Sequence, residues 1–109
     1  MIFKLVSFFS AVLLSSVSAK ADSIPRYDPP AYCKKVSDVS GGAAVIYNGC
    51  LEMEQEAYDH LKVVWSGISS NTQNYCDEVA RVSDGSYTIL KGCIEMEADA
   101  AASTPEFKF

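Results

Sequence analysis

The feature that most limits how this chain can fold is a duplication built around its four cysteines. Cys33 and Cys50 form one pair and Cys76 and Cys93 another with the same separation, and the segments around them superpose at an offset of 43 residues. Tyr32-Cys33, Val36, Val39-Ser40, Gly42, Ile46, Gly49-Cys50, Glu52-Met53-Glu54 and Ala57 recur as Tyr75-Cys76, Val79, Val82-Ser83, Gly85, Ile89, Gly92-Cys93, Glu95-Met96-Glu97 and Ala100. That is 13 identities in the 26 positions from 32 to 57. Each copy is therefore one supersecondary unit, and the chain is two such units in tandem.

Periodicity says what the unit is. In the second half of copy one, Ile46, Cys50, Met53, Ala57, Leu61 and Val64 recur at steps of three and four with polar residues between them, the pattern of an amphipathic helix. Copy two repeats it with Ile89, Cys93, Met96 and Ala100, after an N-cap expected at Ser86. The first half of each copy is a shorter helix. It starts near Pro29-Pro30 or within the polar run 69–74, and ends at Gly41-Gly42 or Asp84-Gly85. Short strands at 45–47 and 88–90 are the competing reading, because β-branched and aromatic residues cluster there.

Cysteine spacing fits a hairpin. The midpoint of each pair falls on the glycine turn, and residues equally far from the turn of two antiparallel helices lie level with each other. Four cysteines allow three pairings, of which only Cys33 with Cys50 and Cys76 with Cys93 makes each copy self-contained. The expected fold is all-α: two tandem disulfide-stapled helical hairpins, about four helices, with Trp65 and Ile68 near their junction.

The chain opens with Lys4 and an uncharged stretch from Leu5 to Ala19, too short for a permanent membrane span and ending in small residues. It reads as a cleavable signal peptide, 1–21, cut after Ala19 or Ala21. A flexible segment, 22–29, is expected next. A single small helical domain, 30–102, then comprises repeats 30–66 and 72–102, and a frayed tail, 103–109, follows. Export makes disulfides the default state of an even cysteine count and places the protein in the periplasm or outside the cell.

Without the first 21 residues, 7 basic side chains face 14 acidic ones. That field disfavours nucleic acid and anionic lipid and leaves no stable membrane anchor after cleavage. A chain of this length buries only about 60 to 65% of its unfolded surface, so two covalent staples matter to it.

Tyr75-Cys76, then Gly85-Ser86-Tyr87, then Cys93 with Glu97 and Ala100, forms a pattern that resembles small exported bacterial proteins of uncharacterised function. The resemblance spans both copies and implies the compartment and the stapled fold. Copy one departs from it, with Gly42-Ala43-Ala44 where copy two has Gly85-Ser86-Tyr87.

The pattern contains no C-x-x-C, so neither a redox dithiol nor a structural zinc site is expected, and no metal or cofactor. His60 is the only histidine, one turn after Glu56, and no nucleophile is identifiable beside it. The carboxylates of Glu52 and Glu54, like those of Glu95 and Glu97, are two residues apart. That splits them by about 200° around a helix, so they read as solvated edges flanking a buried methionine. Aromatic residues are numerous, and an interaction face of Glu52, Glu56, Tyr58, Trp65 and Tyr87 is the candidate site. The expected function is a non-catalytic interaction or inhibitor-like module with a protein partner. The alternatives are a redox factor or small enzyme using a labile disulfide or His60, and a structural or stress-related envelope protein.

Overall fold

The computed structural model describes residues 23–109, and the expected signal peptide lies outside the described residues. Four helices follow in order: α1 (Pro29–Asp38), α2 (Ala44–Val64), α3 (Ser70–Val82) and α4 (Tyr87–Ala102), with a 3₁₀ turn, Trp65–Gly67, after α2. Among the described residues there is no strand, and 45–47 and 88–90 are helical.

Three helix starts have a side-chain acceptor for the backbone N–H groups that no helical carbonyl can reach. Asp28 Oδ1 accepts from the Ala31 N–H at 3.1 Å, ahead of Pro29 and Pro30. Ser69 Oγ accepts from Thr72 at 3.3 Å, and Ser86 Oγ from Ile89 at 3.2 Å. The fourth, at Ala43 before α2, has no side-chain cap.

Both hairpin turns close the same way. The Gly42 N–H donates to Ser37 O at 2.8 Å, and the Gly85 N–H to Ala80 O at 2.9 Å, six-to-one bonds that terminate α1 and α3. Gly85 sits at φ +77°, where a side chain is strained, and a Cβ there would lie 3.1 Å from the Tyr27 ring. Its glycine therefore serves the turn and the packing of a distant segment together.

Disulfides join Cys33 to Cys50 and Cys76 to Cys93, with Cα atoms 5.6 and 5.5 Å apart. Each pairs α1 with α2, or α3 with α4, as an antiparallel hairpin. The hairpins meet where α2 and α4 run side by side in the same direction, Glu54 level with Thr88 and His60 acting on the Glu95 carboxyl. The core is Ala57, Leu61 and Trp65 of α2 and its following turn, Cys76 and Ala80 of α3, and Tyr87, Leu90 and Ile94 of α4, with Ile68 packed against it. Leu61 and Leu90 are wholly buried, each contributing about 2 kcal/mol of apolar transfer.

Two expectations change here. The inward stripe of α2 runs Cys50, Glu54, Ala57, Leu61, Trp65, so Met53 and Met96 are exposed, by 58% and 73%, while Glu54 is 1% exposed. Met53 and Glu54 are three and four residues after Cys50 and both fit the period; the start of α4 offers donors that the glutamate can use and the methionine cannot. The segment 22–29, read as flexible, also has a place in the fold from Ile24 onward. Ile24 and Tyr27 pack on the core, and the Tyr27 and Tyr87 ring centroids are 4.7 Å apart. Residues 103–109 are exposed beyond the last helix.

Candidate functional site

Glu54 borders two concavities, one on either side of it. Its Oε1 accepts from Ser86 Oγ at 2.6 Å and from the Thr88 N–H at 3.3 Å, and its Oε2 from the Tyr87 N–H at 2.7 Å. A buried carboxylate is costly unless its lone pairs are met, and here three donors at the positive end of α4 meet them. Ser86 works in both directions, donating to Glu54 and accepting from Ile89. The arrangement latches copy one onto copy two. Both the Ser86 hydroxyl and the Glu54 carboxylate are buried in it, and each is engaged by hydrogen bonds within the latch.

On one side of this latch lies an apolar groove of about 350 Å³ formed within the first hairpin. Tyr32 and Val36 of α1 face Val45, Ile46 and Met53 of α2 across it, with the Cys33–Cys50 disulfide beneath. Val45 is 76% exposed, and Val39, at the adjoining turn, is almost fully exposed. Thr88 Oγ1 also borders the groove, and it is buried with no hydrogen-bond partner among the described residues. In copy two the residue matching Val45 is Thr88 itself, which lies at the contact between the hairpins; in copy one the position is open.

On another face of α2 lies a larger cleft of about 670 Å³, walled by the segment 24–30 on one side and by Leu51, Gln55 and Tyr58 on the other. Tyr87 lies against it, its hydroxyl donating to Pro25 O at 2.8 Å and accepting from the Tyr27 N–H at 2.9 Å. Burial pushes the Tyr87 phenol above its ordinary range, while the Tyr27 backbone N–H acts the other way. The Tyr27 hydroxyl donates to Asp77 Oδ1 at 2.6 Å, and Arg81 Nε pairs with the same carboxylate at 3.1 Å. Burial and that carboxylate hold the Tyr27 phenol far above the usual tyrosine range.

The five residues expected to form one interaction face are not together on the surface. Trp65 and Tyr87 are 3% and 5% exposed and belong to the core, because the aromatic surface a thin core needs is supplied by them. Tyr58 is half-buried with its ring edge against Tyr87, centroids 4.9 Å apart. Only Glu52 and Glu56 are on the surface, and Glu54, not expected there, carries the latch. Sequence signals for the latch existed: Ser86 before a helix, and a glutamate repeated in both copies, but nothing joined them across 32 residues.

His60 is exposed, and among the described residues no hydrogen bond or ion pair joins it to Glu56. All four cysteines are in disulfides, with Cys33 and Cys76 wholly buried. Among the described residues no group of three or more His, Cys, Asp or Glu side chains is placed to hold a metal ion, and no helix is long and apolar enough to cross a membrane. No family model, curated protein or solved structure matches the chain.

Proposed function

We propose that this protein is an exported, non-catalytic binding module that works in the periplasm or outside the cell and engages a protein partner through the groove of its first hairpin. The observation that carries the reading is the cluster of Val39, Val45, Ile46 and Met53, exposed on a scaffold too small to spare apolar surface. Such residues contribute to folding only when covered; of their counterparts in the second hairpin Thr88 and Ile89 are half-buried, while Val82 and Met96 are exposed as in the first. A partner segment with an apolar face and basic flanks suits the groove, since Glu52 and Glu56 lie on the exposed side of α2 and the chain carries more acids than bases. The two disulfides fit an oxidising compartment. The redox alternative would have to act through Cys50 or Cys93, the less buried member of each pair.

Chemical crosslinking in the native exported fraction tests this, run with wild type beside Ile46→Asp and Met53→Asp. Proteins captured by wild type and lost with both variants, while thermal stability is kept, support the reading. An identical capture profile from all three proteins sinks it.

A further inference from the structure

The larger cleft carries a separate inference, drawn from charge pairing. The chain has more acids than bases, and its helical bases are matched: Lys34 with Asp38, Lys35 with Asp84, Lys62 with Asp59, Arg81 with Asp77 and Lys91 with Glu95. Arg26 is the exception outside the exposed tail, with no hydrogen bond or ion pair among the described residues. It is exposed, it lines the cleft, and its guanidinium is near enough to Tyr87 to oppose the rise of that phenol's pKa. An unpaired cation in so acidic a chain, set at the mouth of a concavity, is a recognition point for an anion.

The rest of the cleft fixes what the anion is attached to. Its lining is divided about evenly between polar and apolar surface, the apolar part being Ile24, Pro25 and Pro29 from the segment before and at the start of α1 and Leu51 from α2. Tyr58 adds a half-buried ring whose hydroxyl makes no hydrogen bond among the described residues. At about 670 Å³ the space matches a small organic molecule. Glu54 borders it and raises the Tyr87 pKa where Arg26 lowers it, but its oxygens are turned to Ser86, Tyr87 and Thr88, whose three donors offset its charge, so an anion is drawn to the Arg26 end of the cleft. A cation is disfavoured by Arg26 itself, and the rings that would have to hold one are already engaged. Tyr27 stacks with Tyr87 and carries Arg81 at 5.4 Å, and Tyr58 carries Lys62 at 5.1 Å.

We infer that this cleft binds a monocarboxylate with an apolar body, its carboxylate on the Arg26 guanidinium and its aliphatic or aromatic part between Leu51, Tyr58 and the Pro25–Pro29 wall. The shared chemistry can come from a free organic acid or from the C-terminus of an apolar peptide. It does not depend on the groove of the first hairpin, which lies on another face of α2.

Titration calorimetry with octanoate and 4-phenylbutanoate tests the inference, using octylammonium as the charge-reversed control and an apolar tripeptide as free acid and as amide. Saturable binding of at least one acid is expected, with no binding of octylammonium. Arg26→Ala should weaken it about tenfold, the loss of one charge-assisted contact at a partly wet rim, and Arg26→Lys less. Arg26 supports no other residue, so its variants should unfold at the wild-type temperature, which separates lost recognition from lost structure. Octanoate binding without tripeptide binding assigns a free acid, and preference for the free-acid tripeptide over its amide assigns a peptide terminus. No saturable binding of the acids or of the free-acid tripeptide, binding unchanged by Arg26→Ala, or a preference for octylammonium overturns the inference.

Discussion

Glu54 and Glu97 occupy the same place in the same repeated Glu-Met-Glu triplet, yet the first is wholly buried and the second borders a shallow surface depression with Asn71, Thr72 and Tyr75. What separates them is not the local sequence but what lies beyond it. Glu54 has another hairpin to meet, and that hairpin begins its second helix with Ser86 and two free N–H groups. Glu97 has no third hairpin among the described residues. The difference shows that the repeat specifies a hairpin, while the contact between hairpins needs, opposite the shared glutamate, residues that the two copies do not share. Ser86 and Tyr87 stand where copy one has Ala43 and Ala44.

The largest expected effect compares the two staples. In the chain-entropy model a bridge across 17 residues contributes about 3 kcal/mol. Cys76 also belongs to the hydrophobic core, whereas Cys33 lies outside it. Replacing Cys76 and Cys93 by alanine should therefore cost about 4 kcal/mol, once lost packing is added. The same change at Cys33 and Cys50 should stay near 3 kcal/mol, read as denaturant midpoints under non-reducing conditions. Equal losses would mean that the two hairpins share the core more evenly than the packing indicates.

Next comes the latch. Glu54→Ala leaves the Ser86 hydroxyl and the Tyr87 N–H without their acceptor in a buried place, for an expected loss of about 3 kcal/mol. For a domain of this size that lowers Tm by about 12 °C or more. Glu54→Gln keeps one acceptor oxygen but turns an NH₂ toward a donor, so it should fall between the two. A Glu54→Ala protein as stable as wild type would show that the hairpins are held by apolar contacts alone.

The hairpins and their bridges were legible in the sequence because cysteine spacing symmetric about a glycine turn leaves little choice of geometry. Helix starts were legible at Pro29 and Ser86, where local chemistry decides the structure. The face of α2 was not. Period and hydrophobicity alone favour Met53 over Glu54, and the donors that reverse the preference sit on a helix more than 30 residues away. Tyr27 was hidden for the same reason: its segment has the polar, proline-containing composition of a linker, while its partners Asp77 and Gly85 lie 50 residues or more downstream. As for the candidate site, counting tyrosines and tryptophans could not say which of Tyr58, Trp65 and Tyr87 the core would absorb.

A smaller effect concerns this docked segment, which has no counterpart in copy two. The Tyr27 phenol is held in its neutral form, with a pKa above that of the unfolded chain. Its contribution is therefore complete below the unfolded tyrosine value of about 10 and is lost as pH rises beyond it. Tyr27→Phe should cost about 1 kcal/mol at neutral pH, since Asp77 keeps Arg81 as a partner. It should also flatten the loss of stability above about pH 10 relative to wild type. If both proteins decline in parallel through that range, ionisation elsewhere governs alkaline unfolding.

The smallest expected effect completes the comparison. Glu97 makes no hydrogen bond or ion pair among the described residues, so Glu97→Ala should change stability by no more than about 0.5 kcal/mol, as for most surface positions. The measurement is worth making at two protein concentrations. A loss comparable to that of Glu54→Ala, present only at the higher concentration, would mean that Glu97 meets the uncapped start of α2, at Ala43 and Ala44, in a second molecule. The repeat would then continue between chains by the contact that Glu54 makes within one. A change that is small at both concentrations fits a contact that ends with the second hairpin. Ala100 and Ala101 then stand, small and exposed, where the first hairpin has Ala57 and Tyr58 to offer a neighbour.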